Sequence, residues 1–225
     1  MVLTPESMNR LVIIGGGGQA RVLIEAINAS ANPPQFCGLL DSDRSLWQTK
    51  VGGVTVLGGD DQLQTLRDQH ECDSFAVAIG GIRNFELRKI LFNKACDAGL
   101  RPWTVRHPSC ECSVSAEIAA GCQLLTRCVV NTGAIVQQNV IINTAAVVEH
   151  DCNIEEHTHI APQACLAGGV HVGTETHIGT GATVMENLSI GSRTIIGAGA
   201  VVVTDVPDDS VFVGVPARPL KKTVS

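Results

Sequence analysis

The sequence is poor in aromatic side chains and in charge. Its 225 residues include no Tyr, two Trp and five Phe, and charged residues make up 17% of the chain. The formal net charge is −6, and the Lys and Arg residues form no basic cluster. Nucleic-acid phosphates need a positive face, so we expect no nucleic-acid partner.

Long apolar runs are also missing. Residues 1–10 lack the basic and then apolar order of a signal peptide. No stretch approaches the roughly 20 apolar residues that a membrane helix needs. We therefore expect a cytoplasmic protein without membrane insertion.

The nine Cys residues contain no CxxC pair. Cys122, Cys128 and Cys152 fall on a position of the repeat described next that takes small residues, where a thiol acts as a small hydrophobe. We interpret these thiols as buried and structural and assign them no metal, with metal or redox roles as the alternative.

What the sequence does contain is an apolar period of six. Ile, Leu or Val recurs at every sixth position from Ile118 to Val202, and most residues four places after these anchors are small. A helix has an apolar period of about 3.6 and a half-buried strand a period of 2, so neither fits. The pattern is typical of hexapeptide β-helix repeats. The anchors are Ile118, Leu124, Val130, Val136, Ile142, Val148, Ile154, Ile160, Leu166, Val172, Ile178, Val184, Ile190, Ile196 and Val202.

In such a coil each hexad forms a short strand with its anchor inside, and neighbouring hexads must stack to bury their apolar faces. Three hexads would complete one triangular turn, so residues eighteen apart would lie above one another. A prism this thin has room for Val and Ile but not for rings, which explains the scarcity of aromatic residues.

The N-terminal part begins with a different pattern. Residues 11–14 predict a strand that leads into four glycines, residues 15–18, and a helix from Gln19; residues 36–40 predict a second strand that ends at Asp41. Gly15, Gly17 and Ala20 satisfy G-x-G-x-x-A, and free amides at a helix start favour a phosphate. The motif is weak alone, because a turn needed only for packing would look the same.

Further strands are predicted at residues 54–57, 75–79 and 102–105. Helices are predicted at residues 60–69, capped by Asp60, and at residues 83–98, with an apolar face of Leu87, Ile90, Leu91 and Ala95. Strands alternating with helices predict a small parallel α/β sheet that is too short for a complete dinucleotide domain.

We therefore place a Rossmann-like domain at residues 1–108 and a β-helix domain at residues 109–225. A ligand should lie beyond the strand ends at Gly15, Asp41 and Gly80. A last strand at residues 211–215 precedes a basic tail with Lys221 and Lys222, interpreted as a solvated cap.

Five of the seven His residues lie in the repeat, and none occupies an anchor. His150 takes the third place of its hexad, a corner or surface position, between Glu149 and Asp151. A neighbouring carboxylate can orient an imidazole and raise its basicity, as a general base needs. A surface His beside a chance acid is the alternative.

His159 and His177 are eighteen residues apart and should stack. They could line a ligand wall or be two solvated rings. Zinc ligation, helped by a neighbouring chain, is a rival interpretation.

Four stretches together carry a family resemblance: IIGGGGQARV, NTAAVVEHDCNIEEHTHIAP, CLAGGVHVG and IIGAGAVVVTDVPDDSVFVGVPAR. Nearly the whole chain resembles the bacterial family of sialic-acid O-acetyltransferases and nucleotide-amino-sugar N-acetyltransferases, and the second stretch is the specific part. The resemblance implies a left-handed parallel β-helix that assembles as a homotrimer. It also implies acetyl-CoA as co-substrate, lying between the coils of adjacent subunits.

The resemblance assigns roles to five coil residues. His150 matches the general base and Asp151 its basicity partner, where some relatives carry Glu. His159 matches a residue that meets acetyl-CoA. Thr180 and Ala198 match backbone contacts along the same molecule.

The residues matching the nucleotide-sugar pocket are Gly18, Gln19, Ala20, Asp41, Ser42 and Gly80. Relatives commonly carry His where Gln19 stands, so we expect a different polar contact there. Many relatives read GDN where this chain has Gly80, Gly81 and Ile82, with Asn84 further along. The part of the pocket that reads the base is therefore expected to differ.

The resemblance implies acetyl-CoA-dependent N-acetylation of a nucleotide-linked 4-amino-deoxysugar by direct transfer. We expect backbone amides near Gly168 or Gly169 to hold the oxyanion, and Cys152 to point inward rather than act as a nucleophile. The alternatives are O-acetylation of a sialic-type sugar, a zinc-dependent hydratase on the same coil and a NAD-dependent enzyme.

Overall fold

The computed structural model describes residues 10–69, 71–80 and 85–220. The chain forms two compact units: the first holds the residues up to 80 and residues 87–105, and the second holds the residues from 106 onward together with residues 85 and 86. Within the described residues, no helix is both long enough and apolar enough to cross a membrane.

The first unit is a six-stranded sheet with helices. Its elements are β1 (Arg10–Ile14), α1 (Gly18–Asn28), β2 (Gln35–Leu40), β3 (Lys50–Val51), β4 (Val54–Gly58), α2 (Leu63–Asp68), β5 (Ser74–Val77), α3 (Phe85–Asp97) and β6 (Arg101–Pro102). The strand order is β3-β4-β2-β1-β5-β6, and all neighbours are parallel except β3 and β4. The predicted parallel α/β sheet is therefore present, and β3 adds an antiparallel edge.

Several details of this unit differ from the prediction, including the bounds of β5 and α2. Asp60 does not cap the second helix. It lies in a 3₁₀ turn, Asp60–Gln62, whose N-cap is Gly59, and its carboxylate pairs with Lys94 at 2.6 Å. The strand predicted at residues 102–105 is divided between β6 and β7 (Val105–Arg106), because Trp103 and Thr104 fall between them.

The apolar face predicted for α3 is half wrong. Leu91 and Ala95 are buried, whereas Leu87 and Ile90 are exposed. Phe92 occupies the buried face instead, with its ring edge-on to Phe75 at 5.3 Å between centroids. The large ring sets the rotation of the helix. The predicted start of this helix, residues 83 and 84, lies outside the described residues.

The second unit is the coil. After β7 and β8 (Glu111–Cys112), every hexad forms a strand of two residues whose second residue is the anchor. These strands are β9 (Glu117–Ile118), β10 (Gln123–Leu124), β11 (Val129–Val130), β12 (Ile135–Val136), β13 (Ile141–Ile142), β14 (Val147–Val148), β15 (Asn153–Ile154), β16 (His159–Ile160), β17 (Cys165–Leu166), β18 (His171–Val172), β19 (His177–Ile178), β20 (Thr183–Val184), β21 (Ser189–Ile190), β22 (Ile195–Ile196) and β23 (Val201–Val202).

The strands form three sheets, which we call faces. Face 1 is β25-β24-β22-β19-β16-β13-β10-β7, face 2 is β23-β20-β17-β14-β11-β8 and face 3 is β21-β18-β15-β12-β9, with β24 (Val211–Val213) and β25 (Arg218–Pro219) closing face 1. Parallel pairing joins residues eighteen apart, as in Ile142 with Ile160. The triangular coil predicted from the period is confirmed. Lys221 and Lys222 lie outside the described residues.

The corners between faces repeat one backbone conformation. From residue 121 to residue 199, every sixth residue has a positive φ, between 52° and 75°. Glycine occupies only some of these positions; Asp151 and His157 are among the others. Non-glycine residues with a positive φ are uncommon. We infer that the stacking of the coils holds the backbone in this conformation.

The core of the coil is a column of anchors with small residues beside it, and both sets are buried. Cys122, Cys128 and Cys152 are fully buried, as predicted. The buried Thr residues satisfy their hydroxyls along the coil, because Thr158 donates to the carbonyl of Gly173 at 2.9 Å and Thr176 to that of Gly191 at 2.7 Å. Polar atoms inside the prism thus cost little.

We predict that Ile190→Ala destabilises the coil strongly. Ile190 is fully buried, and removing such a side chain typically costs about 2–5 kcal/mol because a cavity remains. The free energy of unfolding, measured by denaturant titration at one protein concentration, should fall by that amount. Ser189→Ala on the same strand is the control, since Ser189 points outward and is exposed. Equal stabilities of the two variants would contradict the arrangement.

Candidate active site

His150 lies at the corner between face 2 and face 3, in the turn that joins β14 to β15. The hexad explains the position, because Val148 points inward as the anchor and the chain turns at the next residues. The side chain of His150 is 56% exposed. The corner position predicted from the sequence is therefore correct.

The imidazole is held by its neighbour. Its Nδ1 lies 2.9 Å from Oδ2 of Asp151. A carboxylate can only accept, so Nδ1 donates and the neutral ring keeps its lone pair on Nε2. The hydrogen bond to Asp151 raises the pKa of His150, and the negative charges of Asp151 and Glu149 raise it further. The arrangement is that of an oriented base with Nε2 as its basic atom.

The backbone of this corner is fixed as well. Asp151 has the left-handed conformation, and its N–H donates to the carbonyl of Thr132 at 3.0 Å. The carboxylate of Glu149 accepts from the N–H of His150 at 3.2 Å and from Nδ2 of Asn131 at 3.0 Å. We did not predict Asn131 from the sequence, although its spacing of eighteen from Glu149 was a signal.

Gly168 lies against the imidazole, one coil further along. A β-carbon at residue 168 would come within 2.5 Å of Nε2 and Cε1 of His150, so any residue larger than glycine would displace the imidazole. The N–H of Gly169 donates to the carbonyl of His150 at 2.9 Å, whereas that of Gly168 has no acceptor among the described residues. Of the two amides considered from the sequence, the amide of Gly168 is the one available to a ligand.

His159 and His177 stack on face 1, as their spacing predicts. Their ring centroids are 4.9 Å apart, with the rings at 78°. They are only 6% and 3% exposed, so the interpretation as two solvated rings is wrong. Burial lowers the pKa of His177 to about 4, and this ring is neutral at physiological pH. Nε2 of His159 lies 3.0 Å from Nδ2 of Asn143.

Thr180 and Ala198 lie at another corner, between face 1 and face 2. Both are exposed, and they stack one coil apart, with the N–H of Gly199 donating to the carbonyl of Thr180 at 2.9 Å. Face 2 separates this corner from that of His150. A single chain therefore does not bring His150 together with Thr180 and Ala198.

In the first unit, the predicted pocket residues follow three neighbouring strands. The glycine loop, residues 15–18, follows β1, Asp41 follows β2, and Gly80 comes three residues after β5. The carboxylate of Asp41 accepts from the N–H of Gly16 at 2.6 Å and from the N–H of Asp43 at 2.8 Å. Asp41 thus fixes the glycine loop.

The backbone at the start of α1 is open to the close approach of a ligand. Gly17 is the N-cap, no side chain caps the helix, and the first turn holds no acid. Apart from its chain neighbours, no atom lies within 4 Å of the position of a β-carbon at Gly17. At Gly80, a β-carbon would lie 3.4 Å from the side-chain oxygen of Gln19. Ala20 is buried and Ser42 is exposed, while Gly81, Ile82 and Asn84 lie outside the described residues.

Across residues 10–69, 71–80 and 85–220, no three His, Cys, Asp or Glu side chains form a group that could hold a metal ion.

A three-sided parallel β-helix whose corner carries an imidazole–carboxylate pair beside an unused amide defines the class of hexapeptide-repeat acyltransferases. The comparisons with known proteins agree. Residues 10–95 match the family model of the PglD N-terminal domain.

Perosamine N-acetyltransferase from Caulobacter crescentus, solved with CoA and GDP-perosamine, is 38% identical, with a TM-score of 0.88 over 96% of this chain and 99% of that chain. The acetyltransferase domain of PglB from Neisseria gonorrhoeae is 34% identical, with a TM-score of 0.86 over 94% and 100% of the two chains. WeeI from Acinetobacter baumannii shares the fold at 23% identity, with a TM-score of 0.73 over 93% and 99%.

The chain belongs to the hexapeptide-repeat family of sugar acyltransferases. Its fold is an N-terminal α/β domain followed by a left-handed parallel β-helix, as the sequence predicted.

We predict that Asp151→Asn lowers the pKa of His150 toward its ordinary range, because the charged acceptor of the ring proton is lost. A pH titration of the imidazole signals by NMR measures this, with His177 expected to stay neutral down to a pH of about 4. Glu186→Gln is the control, since Glu186 is exposed at the same corner two coils further along. An unchanged His150 titration in Asp151→Asn would contradict the assignment of the pair.

Proposed function

We propose that the protein transfers the acetyl group of acetyl-CoA to the amine of a nucleotide-linked 4-amino-deoxysugar. The observation that carries this proposal is the His150–Asp151 pair, with Nε2 directed to the side of Gly168, at an exposed corner of the coil. It is supported by 38% identity over 96% of the chain to an enzyme solved with CoA and GDP-perosamine. The PglB acetyltransferase domain has been solved with acetyl coenzyme A.

In the proposed reaction, Nε2 of His150 takes a proton from the amine as the amine nitrogen forms a bond to the thioester carbon. The N–H of Gly168 donates to the carbonyl oxygen as that oxygen gains negative charge. When the carbon–sulfur bond breaks, the imidazolium returns its proton to the sulfur. The products are the amide and CoA, and no covalent bond to the protein forms.

Asp151 contributes by keeping Nε2 basic. Because the pKa of His150 is raised, the ring becomes an available base only as the pH rises through that pKa. The rate should therefore increase with pH over that range. Loss of the Asp151 charge moves the increase to lower pH and leaves a weaker base.

We assign acceptor binding to the domain of residues 1–108 and acetyl transfer to residues 109–225. The open backbone at Gly17 and the uncapped start of α1 suit the diphosphate of a nucleotide sugar. Gly18, Gln19 and Ala20 would continue this contact. The remaining contacts would come from Asp41, Ser42 and Gly80.

We further propose that the active protein is a cytoplasmic homotrimer whose subunits share the acetyl-CoA site. Because His150 lies at one corner and Thr180 and Ala198 at another, a neighbouring copy is needed to complete the site. In this arrangement His159 and the backbone of Thr180 and Ala198 of one subunit hold acetyl-CoA near His150 of the next.

Face 2 is the surface that suits such contacts. From β8 to β23, its outward residues are Glu111, Val129, Val147, Cys165, Thr183 and Val201, of which four are apolar. The outward residues of face 3 are Glu117, Ile135, Asn153, His171 and Ser189, which are polar with one exception. Apolar side chains along face 2 favour burial between copies of the chain.

We predict that His150→Ala lowers kcat by roughly 100-fold or more, the usual contribution of a positioned base. Release of CoA from acetyl-CoA in the presence of the acceptor measures the rate. His171→Ala is the matched control: His171 pairs with Glu155 on face 3, and its removal should leave kcat close to wild type. A rate unchanged by His150→Ala would remove His150 from the mechanism.

The acceptor is identified by offering UDP-, dTDP- and GDP-linked 4-amino-deoxysugars beside free nonulosonic acids. Acetylation of a nucleotide-linked amine supports the proposal, and acetylation of a free acid on oxygen would select the O-acetyltransferase alternative. Calorimetry with acetyl-CoA should show saturable binding. No heat at millimolar acetyl-CoA would contradict the transferase assignment.

We predict that Val147→Glu weakens the trimer, because it places a charge on the apolar surface of face 2. Sedimentation velocity should show a trimer mass for the wild type and smaller species for the variant, with transferase activity falling in parallel. Ser189→Glu places the same charge on face 3 and should keep the trimer mass. A variant at residue 147 that sediments like the wild type would exclude face 2 from the interface.

A further inference from the structure

The residue that directly follows an anchor can cap a corner amide. Oδ1 of Asn131 accepts from the N–H of Thr132 at 2.9 Å, and Oδ1 of Asn143 accepts from that of Thr144 at 2.7 Å. Glu149 does the same for His150 at 3.2 Å. In each case a side-chain oxygen occupies the amide that would otherwise face outward at the corner.

Ala167 occupies this place on the coil that follows Glu149, at a spacing of eighteen. Its methyl group has no acceptor to offer. Within the part of the chain that the structure describes, the N–H of Gly168 accordingly has no acceptor. The series Asn131, Glu149, Ala167 along one corner thus changes from capped to uncapped at the coil that faces the imidazole.

The uncapped N–H of Gly168 lies beside the imidazole of His150. Gly168 packs against Nε2 and Cε1 of His150, so closely that a side chain at residue 168 would displace the ring. A carbonyl attacked by a nucleophile that His150 deprotonates must lie near Nε2, so its oxygen lies within reach of groups beside that ring. A donor that helps an oxyanion must be unoccupied before the reaction.

We propose that Ala167 is a positioning residue: its lack of an acceptor keeps the Gly168 amide available to the oxyanion, an inference that rests on the proposed acetyl transfer. An acceptor at residue 167 would cap this amide as Asn131 caps Thr132. The enzyme would still bind both substrates, because neither Nε2 of His150 nor the acceptor pocket changes. It would lose the donor that counts only in the transition state.

The test compares Ala167→Asn with Ala167→Leu. The Leu side chain has nearly the same size and shape as that of Asn but carries no hydrogen-bond acceptor. We expect kcat of Ala167→Asn to fall by about 10²–10³-fold, the usual effect of losing one oxyanion donor. The KM for acetyl-CoA and the pH dependence set by His150 should not change. Ala167→Leu should retain most of kcat. Equal losses in both variants, or no loss in Ala167→Asn, would overturn the inference.

A second measurement separates this inference from the proposed function. Amide hydrogen exchange at Gly168, followed without substrates, should be slower in Ala167→Asn than in wild type and in Ala167→Leu. If the wild-type protein transfers no acetyl group, the proposed function is wrong. The exchange rate of the Gly168 amide would still show whether residue 167 caps that amide. Exchange at Gly168 that is the same in all three proteins would show that residue 167 does not control the amide.

Discussion

The structure of the coil depends on one constraint, the stacking in register of residues eighteen apart. Each anchor lies directly above the anchor of the preceding coil, as Ile160 lies above Ile142. A hexad alone has two strand residues and cannot bury its apolar face, so each coil is stable only through its neighbours. The same stacking satisfies the buried Thr hydroxyls and holds non-glycine residues such as Asp151 in a left-handed conformation.

The geometry of the candidate active site follows from the same stacking of residues eighteen apart. Stacking places Gly168 beside His150 and uses the amide of Gly169 for the carbonyl of His150, which leaves the neighbouring amide unoccupied. The left-handed turn at Asp151 brings its carboxylate back to the ring of the preceding residue. A base and a donor thus meet on adjacent coils without any long loop to position them.

The sequence predicted most of the coil because its signal is local and repeated. The anchors, the stacked pair His159 and His177 and the corner position of His150 all follow from counting in sixes. The burial of His159 and His177 could not be predicted in this way, because the six-residue period does not show which residues cover an outward face. The apolar face of α3 was partly wrong for a related reason: the packing of Phe92 against Phe75 decides the rotation, and helical periodicity alone does not contain it.

The candidate site was predicted to a smaller extent. His150 and Asp151 are adjacent in sequence, so their pairing could be expected. The roles of Asn131 and Ala167 depend on which amides the stacked coils already use, and that distinction appears only in three dimensions. Gly15, Asp41 and Gly80 follow the ends of neighbouring strands, as the sequence predicted, but the contact of Asp41 with the glycine loop was not foreseen.

The fixed three-sided geometry also limits how this chain can change in length. His150 and Thr180 are thirty residues apart, which is five hexads, and this count alone determines which corners they occupy. Removing or adding one hexad between them would move every later residue to the next face, so all outward side chains after the change would point in another direction. Length variation that keeps the enzyme intact is therefore restricted to whole coils or to loops that leave and re-enter the prism at a corner.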